Sequence, residues 1–427
     1  MKKVLLCVLL ILLLCAGWMT ALKPEASVGG VDLERAEGYL KTAREQYALG
    51  GYGSAIDYAT AAVNCADTLE NELFLADCYL ADGRTGDYRS CLERVIRLWP
   101  EDMRAYALLS ARYLEAGNYP DCAEVCRKAY QTGCATEELV DRYFTANYHY
   151  ELKSGALEAA GDFHDGLALV RLEDGWYYLN SSMRTVAGPL EAASAPLGSV
   201  LGYRKDGKAG FFTADGAKYM DSEQEFDETW ALCDGLALTR SGSEYTFVDR
   251  GCKPKLGVFT DASCFAGGVA AIQTGGQWQL IDAAGNALAS GLADVKLDGE
   301  RRCSVGGRIF ASTGSGYDLY DASGALVAKT GFADARPFAG NGAAAVFNGT
   351  AWGFVKADGT MLLDFQYADA RSFADGLAAV RIDGQWGFIT ESGRVVIEPV
   401  FADAGSFTSG KLAPVLTEDG WHYIARN

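Results

Sequence analysis

The feature that most constrains this chain is a repeat of about 35 residues that fills its C-terminal two thirds. The repeat is clearest at residues 373–390, where F-A-D-G-L-A-A-V is followed by a short turn and then by W-G-F-I-T. The position of the tryptophan recurs eight times, at Trp176, Ala209, Tyr245, Trp278, Tyr317, Trp352, Trp386 and Trp421. The steps between these positions are 33, 36, 33, 39, 35, 34 and 35 residues. Such a period predicts stacked structural units, each in contact with its neighbours.

Each unit is predicted to contain an antiparallel β-hairpin. Residues 377–380 and 386–390 are rich in strand formers, and the pair Asp383-Gly384 between them favours a tight turn. A third strand is plausible at residues 395–397. Both faces of residues 377–380 are apolar, which favours blades packed face to face in a propeller-like ring. The open alternative is a β superhelix, because 35 residues is short for a four-stranded blade.

The unit resembles the WG β-repeat family of bacteria, whose members read F-x-x-G-L-A-x-V, a turn, and then W-G-F-I-D-x-x-G. Trp352-Gly353 and Trp386-Gly387 carry the resemblance most clearly. It implies a β-repeat domain, here residues 153–427, with no established chemistry. Five tryptophans occupy the repeated position: Trp176, Trp278, Trp352, Trp386 and Trp421. We interpret them as packing positions rather than sugar-stacking platforms, because alanine or tyrosine replaces them in other units.

Residues 31–152 are predicted to be helical, since apolar residues recur there at intervals of three and four. A phrase G-x-Y-x-x-small begins at Gly50, Gly86 and Gly117, and it places Ala55, Cys91 and Cys122 at one small, buried position. The spacing is close to the 34-residue period of helix-turn-helix repeats. With an aromatic, small, aromatic pattern at Tyr106, Ser110 and Tyr113, the region resembles tetratricopeptide (TPR) repeats. Residues 136–152 are predicted to form a final helix that caps the stack.

The N-terminus is predicted to direct the protein out of the cytoplasm. Lys2 and Lys3 precede an uninterrupted apolar run over residues 4–22, which is long enough to cross a bilayer. Residues 1–22 are therefore expected to be a signal peptide or a transmembrane anchor, and residues 23–30 a linker. The part that follows is expected outside the membrane, or secreted if the segment is cleaved.

No pattern of catalytic or metal-binding residues stands out in the sequence. His149, His164 and His422 are the only histidines, and none has the spacing of a metal ligand. We therefore predict no catalytic residue, metal or cofactor. The net charge of −18 opposes a surface that follows nucleic-acid phosphates, so no nucleic-acid partner is predicted. Cys91 and Cys122 are expected as small buried residues, and a few bridges such as Cys252 to Cys264 are left open.

Together these features predict a non-catalytic binding or scaffold protein of the bacterial cell envelope. Its partners would be envelope proteins or peptides, with basic ones preferred. The alternative is a protein that binds or hydrolyses cell-wall polysaccharide, with two carboxylates hidden in the ring. A ligand site is expected in the segments that differ most between repeats, namely residues 189–201, 221–232 and 287–308.

Overall fold

The computed structural model describes residues 32–215, 218–221, 226–340, 342–408 and 411–426. These residues form seven α-helices followed by 32 β-strands. The predicted N-terminal anchor at residues 1–22 and the linker at residues 23–30 lie outside this described part. Within it, no helix is both long enough and apolar enough to span a bilayer. The chain divides into two compact units, residues 1–109 and 110–427.

The helices are joined by turns of three to five residues. They are α1 (Leu33–Ala48), α2 (Tyr52–Cys65), α3 (Leu69–Ala81), α4 (Thr85–Leu98), α5 (Met103–Glu115), α6 (Tyr119–Gln131) and α7 (Glu137–Asn147). The turns before α2, α4 and α6 contain Gly50, Gly83 and Gly117, with φ of 78°, 74° and 68°. These values lie in the left-handed region, where glycine has no Cβ penalty.

This arrangement corrects the alignment of the middle helical repeat. The turn glycine is Gly83, whereas Gly86 lies inside α4. The repeat therefore advances by 33 and then 34 residues, and Tyr88 takes the position that Ala55 has in the first unit. The G-x-Y phrase points to Gly86 because the middle turn has Thr85, and not a tyrosine, two residues after Gly83. Cys91 and Cys122 are nevertheless buried, at 7% and 0% exposure, as predicted.

The strands form eight antiparallel sheets of four strands, the blades of a propeller ring. Blade 1 is β2 (Ala159–Ala160), β3 (Leu167–Leu172), β4 (Gly175–Asn180) and β5 (Thr185–Leu190), and blade 2 is β6 (Ala192–Ala193), β7 (Val200–Lys205), β8 (Lys208–Thr213) and β9 (Lys218–Asp221). Blade 3 is β10 (Glu228–Cys233), β11 (Leu236–Ser241), β12 (Glu244–Val248) and β13 (Pro254–Phe259), and blade 4 is β14 (Asp261–Ala262), β15 (Val269–Thr274), β16 (Gln277–Asp282) and β17 (Ala287–Leu292). Blade 5 is β18 (Asp294–Val295), β19 (Arg308–Ser312), β20 (Tyr317–Asp321) and β21 (Leu326–Phe332). Blade 6 is β22 (Asp334–Ala335), β23 (Ala344–Phe347), β24 (Trp352–Val355) and β25 (Met361–Tyr367). Blade 7 is β26 (Asp369–Ala370), β27 (Leu377–Ile382), β28 (Gln385–Thr390) and β29 (Val395–Phe401). Blade 8 is β30 (Asp403–Ala404), β31 (Leu412–Thr417), β32 (Gly420–Arg426) and β1 (Tyr150–Leu152).

The propeller prediction is confirmed, and the open superhelix is wrong. A repeat of about 35 residues accommodates four strands because the first strand is only two residues long in every blade except blade 3. Neighbouring blades pack through ring pairs such as Phe354 with Phe373 and Phe388 with Phe407, whose centroids lie 4.7 and 4.9 Å apart. Tyr423 of blade 8 and Phe163 of blade 1 form the same pair at 4.9 Å, so the ring closes with the packing of the other junctions.

A strand from the start of the ring completes the last blade. Tyr150, Glu151 and Leu152 pair with Arg426, Ala425 and Ile424. The final helix expected over residues 136–152 therefore ends at Asn147, and residues 150–152 belong to the ring. The hydrogen bonds that a further helical turn would have made are replaced by bonds to β32, which satisfies an otherwise open sheet edge.

Candidate functional site

All eight repeated positions lie on the third strand of a blade. Trp278, Trp352 and Trp386 are buried, with 5–9% exposure, whereas Trp176 and Trp421 are half-buried. The residue that follows the tryptophan must be glycine, because the fourth strand leaves no room there for a Cβ. A Cβ on Gly387 would lie 2.6 Å from the carbonyl oxygen of Ile397, and the equivalent distance at Gly353 to Leu363 is 2.9 Å.

A cation from one blade binds the first strand of the next blade, an arrangement that we call the inter-blade latch. Arg371 of blade 7 donates from Nε to the carbonyl oxygen of Ala404 at 2.6 Å and forms an ion pair with Asp403 at 3.1 Å. Its guanidinium also lies over the ring of Trp386, 5.2 Å from the centroid. The latch therefore joins two blades and covers the repeated tryptophan with a charged group.

Two further junctions have the same latch. Arg336 binds Asp369 at 2.7 Å and stacks on Trp352 at 4.7 Å. Lys296 binds Asp334 at 2.8 Å and lies 4.3 Å from the ring centroid of Tyr317. These contacts were not predicted from the sequence, although the triplets D-A-R at residues 334–336 and 369–371 were a usable signal.

Blade 3 receives its latch cation from a distant segment. Trp230 lies at the position that Arg371 occupies in blade 7, as the strand registers show. Arg301 comes from the loop between β18 and β19 of blade 5 and donates to the carbonyl oxygen of Ala262, from Nε at 3.1 Å. It also pairs with Asp261 and lies 5.5 Å from the ring of Trp230. The inserted loop thus supplies a guanidinium that the blade itself lacks.

A cavity of about 1190 Å³, the channel cavity, lies at the centre of the ring. Its charged and histidine lining consists of Asp162, His164, Asp298, Glu300, Arg302, Arg336, Arg371, Asp375 and Glu391. His164 of blade 1 meets Glu300 of blade 5 with 3.3 Å between Nε2 and Oε1. Arg302 binds Asp298 at 2.7 Å and Glu300 at 3.2 Å. Segment 287–308, one of the predicted variable segments, therefore contributes much of this cavity.

The carboxylates of the channel cavity influence one another. Burial raises the pKa of Asp162 and of Asp298 to about 6, and the charge of Glu300 adds to both shifts. Burial also acts to raise the pKa of Glu300, but the hydrogen bond with His164 and the nearby Arg302 outweigh it and lower that pKa to about 2. The Asp162 carboxylate accepts the main-chain N–H of Ser406 at 2.8 Å, which helps close the ring.

The other candidate residues have structural surroundings. The His149 ring stacks on Tyr119 at 3.6 Å, and the His422 ring binds the carbonyl oxygen of Ser154 at 3.1 Å. The described part of the chain contains no group of three or more His, Cys, Asp or Glu side chains arranged to hold a metal ion. Cys264 is a free thiol, so the bridge left open between Cys252 and Cys264 is not formed.

The comparisons with known proteins agree with the repeat assignment. A family model described as "WG containing repeat" matches residues 352–386 and 386–421. Residues 352–421 therefore carry WG repeats, and in the described part of the chain seven TPR-like helices precede an eight-bladed ring. No protein of curated function matches the sequence significantly.

Solved structures similar to each part are distant in sequence. The crystal structure of a eukaryotic initiation factor is similar with a TM-score of 0.42 and 10% identity, covering 64% of this chain and 84% of that chain. The β-propeller domain of Cps50 (Swd1) from Myceliophteria thermophila gives 0.35 and 12%, covering 65% and 99%. The Sgt2 TPR domain from Aspergillus fumigatus gives 0.23 and 17%, covering 26% and 76%.

Proposed function

We propose that this protein is a non-catalytic scaffold of the bacterial cell envelope, exported and held at the membrane by residues 1–22, that binds other proteins through its repeats. The observation that carries the proposal is that the repeated aromatic and cationic side chains join neighbouring blades into one frame. Segment 287–308, which differs from its counterparts in the other repeats, adds Asp298, Glu300 and Arg302 to the channel cavity, beside Arg336 and Arg371 of the latches. A rigid frame with individual loops is suited to partner recognition.

The charges in the channel cavity support a binding role over catalysis. Asp298 and Glu300 are both ion-paired with Arg302, and Arg336 and Arg371 are held by aspartates of the adjacent blades. A hydrolase needs a general acid and a second carboxylate that both reach the substrate. Because both carboxylates of this segment pair with Arg302, they are better suited to holding the loop in place.

A second candidate function is the binding or hydrolysis of cell-wall polysaccharide. One observation favours it: Asp162, Asp298 and Glu300 line a single cavity that is large enough for a sugar. This candidate predicts that purified wall polysaccharide binds the full chain and that Asp162→Asn abolishes binding or hydrolysis. The scaffold proposal predicts neither effect.

Crosslinking in cells tests the scaffold. The full chain is expressed with a C-terminal tag in the organism that encodes it, crosslinked and purified. We expect a defined envelope protein, with crosslinks on the helices or on residues 189–201, 221–232 and 287–308. Retention of polysaccharide with no protein partner would contradict the proposal.

A reporter fusion tests the location. An enzyme that works only in the cytoplasm is fused after Asn427, and we expect it to be inactive. A reporter that works only outside the cytoplasm, fused at the same point, is the matched control and should be active. Activity of the cytoplasmic reporter would overturn export without affecting the scaffold proposal.

A further inference from the structure

The inserted loop of blade 5, residues 296–307, crosses the channel to the blade on the opposite side. Glu300 in this loop meets His164 of blade 1, with 3.3 Å between Oε1 and Nε2. In a ring of eight blades, blades 1 and 5 lie opposite each other. The loop also lines the channel cavity, through Leu297, Asp298, Gly299, Glu300, Arg302 and Val305. It is therefore a wall of that cavity, and its position sets the width of the channel.

Two contacts of different kinds hold the loop to the rest of the ring. On one side, Arg301 donates to the carbonyl oxygen of Ala262 in blade 4, and its own carbonyl oxygen accepts the N–H of Cys264 at 2.7 Å. On the other side, His164 and Glu300 form the one hydrogen bond that joins the loop to blade 1 in the described part of the chain. The first contact uses main-chain groups, which do not titrate, whereas the second depends on two titratable side chains.

The tip of the loop is held together by its own hydrogen bonds. The carboxylate of Asp298 accepts the main-chain N–H groups of Glu300 and Arg302 at 3.0 and 2.7 Å. The Arg302 guanidinium in turn binds Asp298 at 2.7 Å and Glu300 at 3.2 Å. Residues 298–302 therefore form one small body, and the contact with His164 is what keeps this body against blade 1.

Three carboxylates come together where the loop reaches blade 1. Asp162 of blade 1 interacts electrostatically with Glu300, and Glu300 with Asp298. Arg302 offsets part of this negative charge from within the loop, and Arg371 offsets part of it from blade 7. The other titratable groups that act on the cluster are His164 of blade 1, Cys233 of blade 3 and Tyr423 of blade 8. When all three carboxylates are ionised, they outnumber the two arginines at the contact.

The protons of this cluster are linked to the position of the loop. Burial raises the pKa of Asp162 and of Asp298 to about 6 from the ordinary 3.8, and the charge of Glu300 adds to both shifts. The docked loop therefore holds these two protons more tightly than exposed carboxylates would, and this advantage is lost as the pH rises through about 6. The bond between His164 and Glu300 is an ion pair only while the imidazole is protonated, so it weakens in the same direction.

Glu300 sets the limit on the acid side. Although burial acts to raise it, the hydrogen bond with His164 and the nearby Arg302 lower the pKa of Glu300 to about 2. Its charge therefore favours the docked loop above the ordinary pKa of 4.5, and this contribution is lost only as the pH falls toward about 2. The carboxylates and the imidazole thus favour the docked position together between about pH 4.5 and about pH 6.

We propose that the inserted loop is a proton-controlled closure of the channel cavity, docked on blade 1 in mildly acidic solution and detached from it above neutral pH. Detachment gives water access to the ionised Asp162 and joins the cavity to the rest of the channel. Arg301 stays bound to blade 4 in both positions, so the loop returns when the pH falls. The device belongs to the ring alone and does not depend on the proposed scaffold function.

Hydroxyl-radical footprinting of the full chain, read by mass spectrometry, tests the closure. The His164 side chain is 15% exposed beside Glu300, and its oxidation reports how far it is uncovered. His149, which stacks on Tyr119 and does not line the cavity, is the internal reference for imidazole reactivity. We expect the ratio of His164 to His149 oxidation to rise about threefold between pH 5.5 and pH 8, because detachment uncovers the His164 ring. An unchanged ratio would overturn the proposal.

Variants compared at a single pH remove any effect of pH on the radical reaction itself. Asp162→Asn cannot ionise but keeps an oxygen acceptor for the Ser406 N–H, so most of the rise at pH 8 should be absent. Glu300→Gln cannot form the ion pair, so at pH 5.5 its ratio should already be about threefold above that of the unchanged chain. Glu391→Gln, at an exposed position of the same cavity outside the loop, is the matched control and should respond to pH like the unchanged chain.

The variants also identify the groups that control the loop. Far-UV circular dichroism first checks that each variant is folded. A full rise in Asp162→Asn at pH 8, or a low ratio in Glu300→Gln at pH 5.5, would show that this cluster does not control the loop, and the proposal would fail. The scaffold proposal is tested separately by crosslinking, so the failure of either one leaves the other standing.

Discussion

At the scale of single residues, the repeated tryptophan has different surroundings in different blades. Trp386 is 5% exposed and carries the Arg371 guanidinium on its face. Trp176 is half-buried, and its blade has Gly161 where the latch cation would be. The same residue type at the same repeat position therefore contributes unequally to stability.

We predict that Trp386→Ala lowers the free energy of unfolding by about 3–5 kcal/mol, because it leaves a large cavity and removes the surface on which Arg371 rests. Trp176→Ala, the matched control, should cost about 1–2 kcal/mol. Denaturant unfolding of the two variants measures the difference. A Trp386→Ala protein of unchanged stability would contradict the packing role.

Residue spacing predicted the tryptophan positions but not the latches. The two partners of a latch come from consecutive repeats, and Arg336 and Asp369 are 33 residues apart. The sequence of one repeat therefore shows an arginine and an aspartate but does not indicate that each binds a residue of a neighbouring repeat. His164 and Glu300 are 136 residues apart, and their contact depends on the closure of the whole ring.

At the scale of elements, the blades differ in their first strands and in the loops that follow those strands. Most first strands have two residues, too short for any strand pattern in the sequence, so a third strand was predicted and the fourth was not. The loop of blade 5 runs from residue 296 to 307, twice the length of residues 371–376 in blade 7. The step of 39 residues between repeated positions indicated this insertion. The contacts of the loop with blades 1 and 3 depend on the tertiary structure, so the spacing could not predict them.

Arg301 gives the inserted loop a measurable structural contribution. We predict that Arg301→Ala lowers the free energy of unfolding by about 2 kcal/mol, since it leaves Asp261 without its cation and uncovers Trp230. Lys329→Ala, on an exposed position of the same blade, removes equal charge and should change stability little. Thermal unfolding measures the stability of both variants. Equal unfolding midpoints would contradict the conclusion that the loop supplies a latch cation.

At the scale of the whole molecule, the ring concentrates acidic groups in its channel. The pKa of Asp162 is raised to about 6 from its ordinary 3.8, so the folded ring holds that proton more tightly than the unfolded chain does. Its stabilising contribution is complete below about pH 4 and is lost as the pH rises through about 6. We therefore expect the charged Asp162 carboxylate to lower the free energy of unfolding of the ring at neutral pH.

Asp162→Asn should remove this dependence while keeping an oxygen acceptor for the Ser406 N–H. We predict that the variant exceeds the unchanged protein in unfolding free energy by on the order of 2 kcal/mol at pH 8 and equals it near pH 4. Asp364→Asn, at an exposed position, serves as the control. Parallel stability curves for Asp162→Asn and the unchanged chain would show that Asp162 does not titrate with folding.

The closing strand also imposes an order on biosynthesis. β1 leaves the ribosome about 270 residues before β32, its only hydrogen-bonded strand neighbour among the described residues. At a synthesis rate of roughly 5–20 residues per second, that edge waits on the order of 15–50 s for its partner. Glu151 within the strand and Lys153 just after it are charged, and such residues discourage premature pairing with other chains. The ring can be completed only after its last strand has been made.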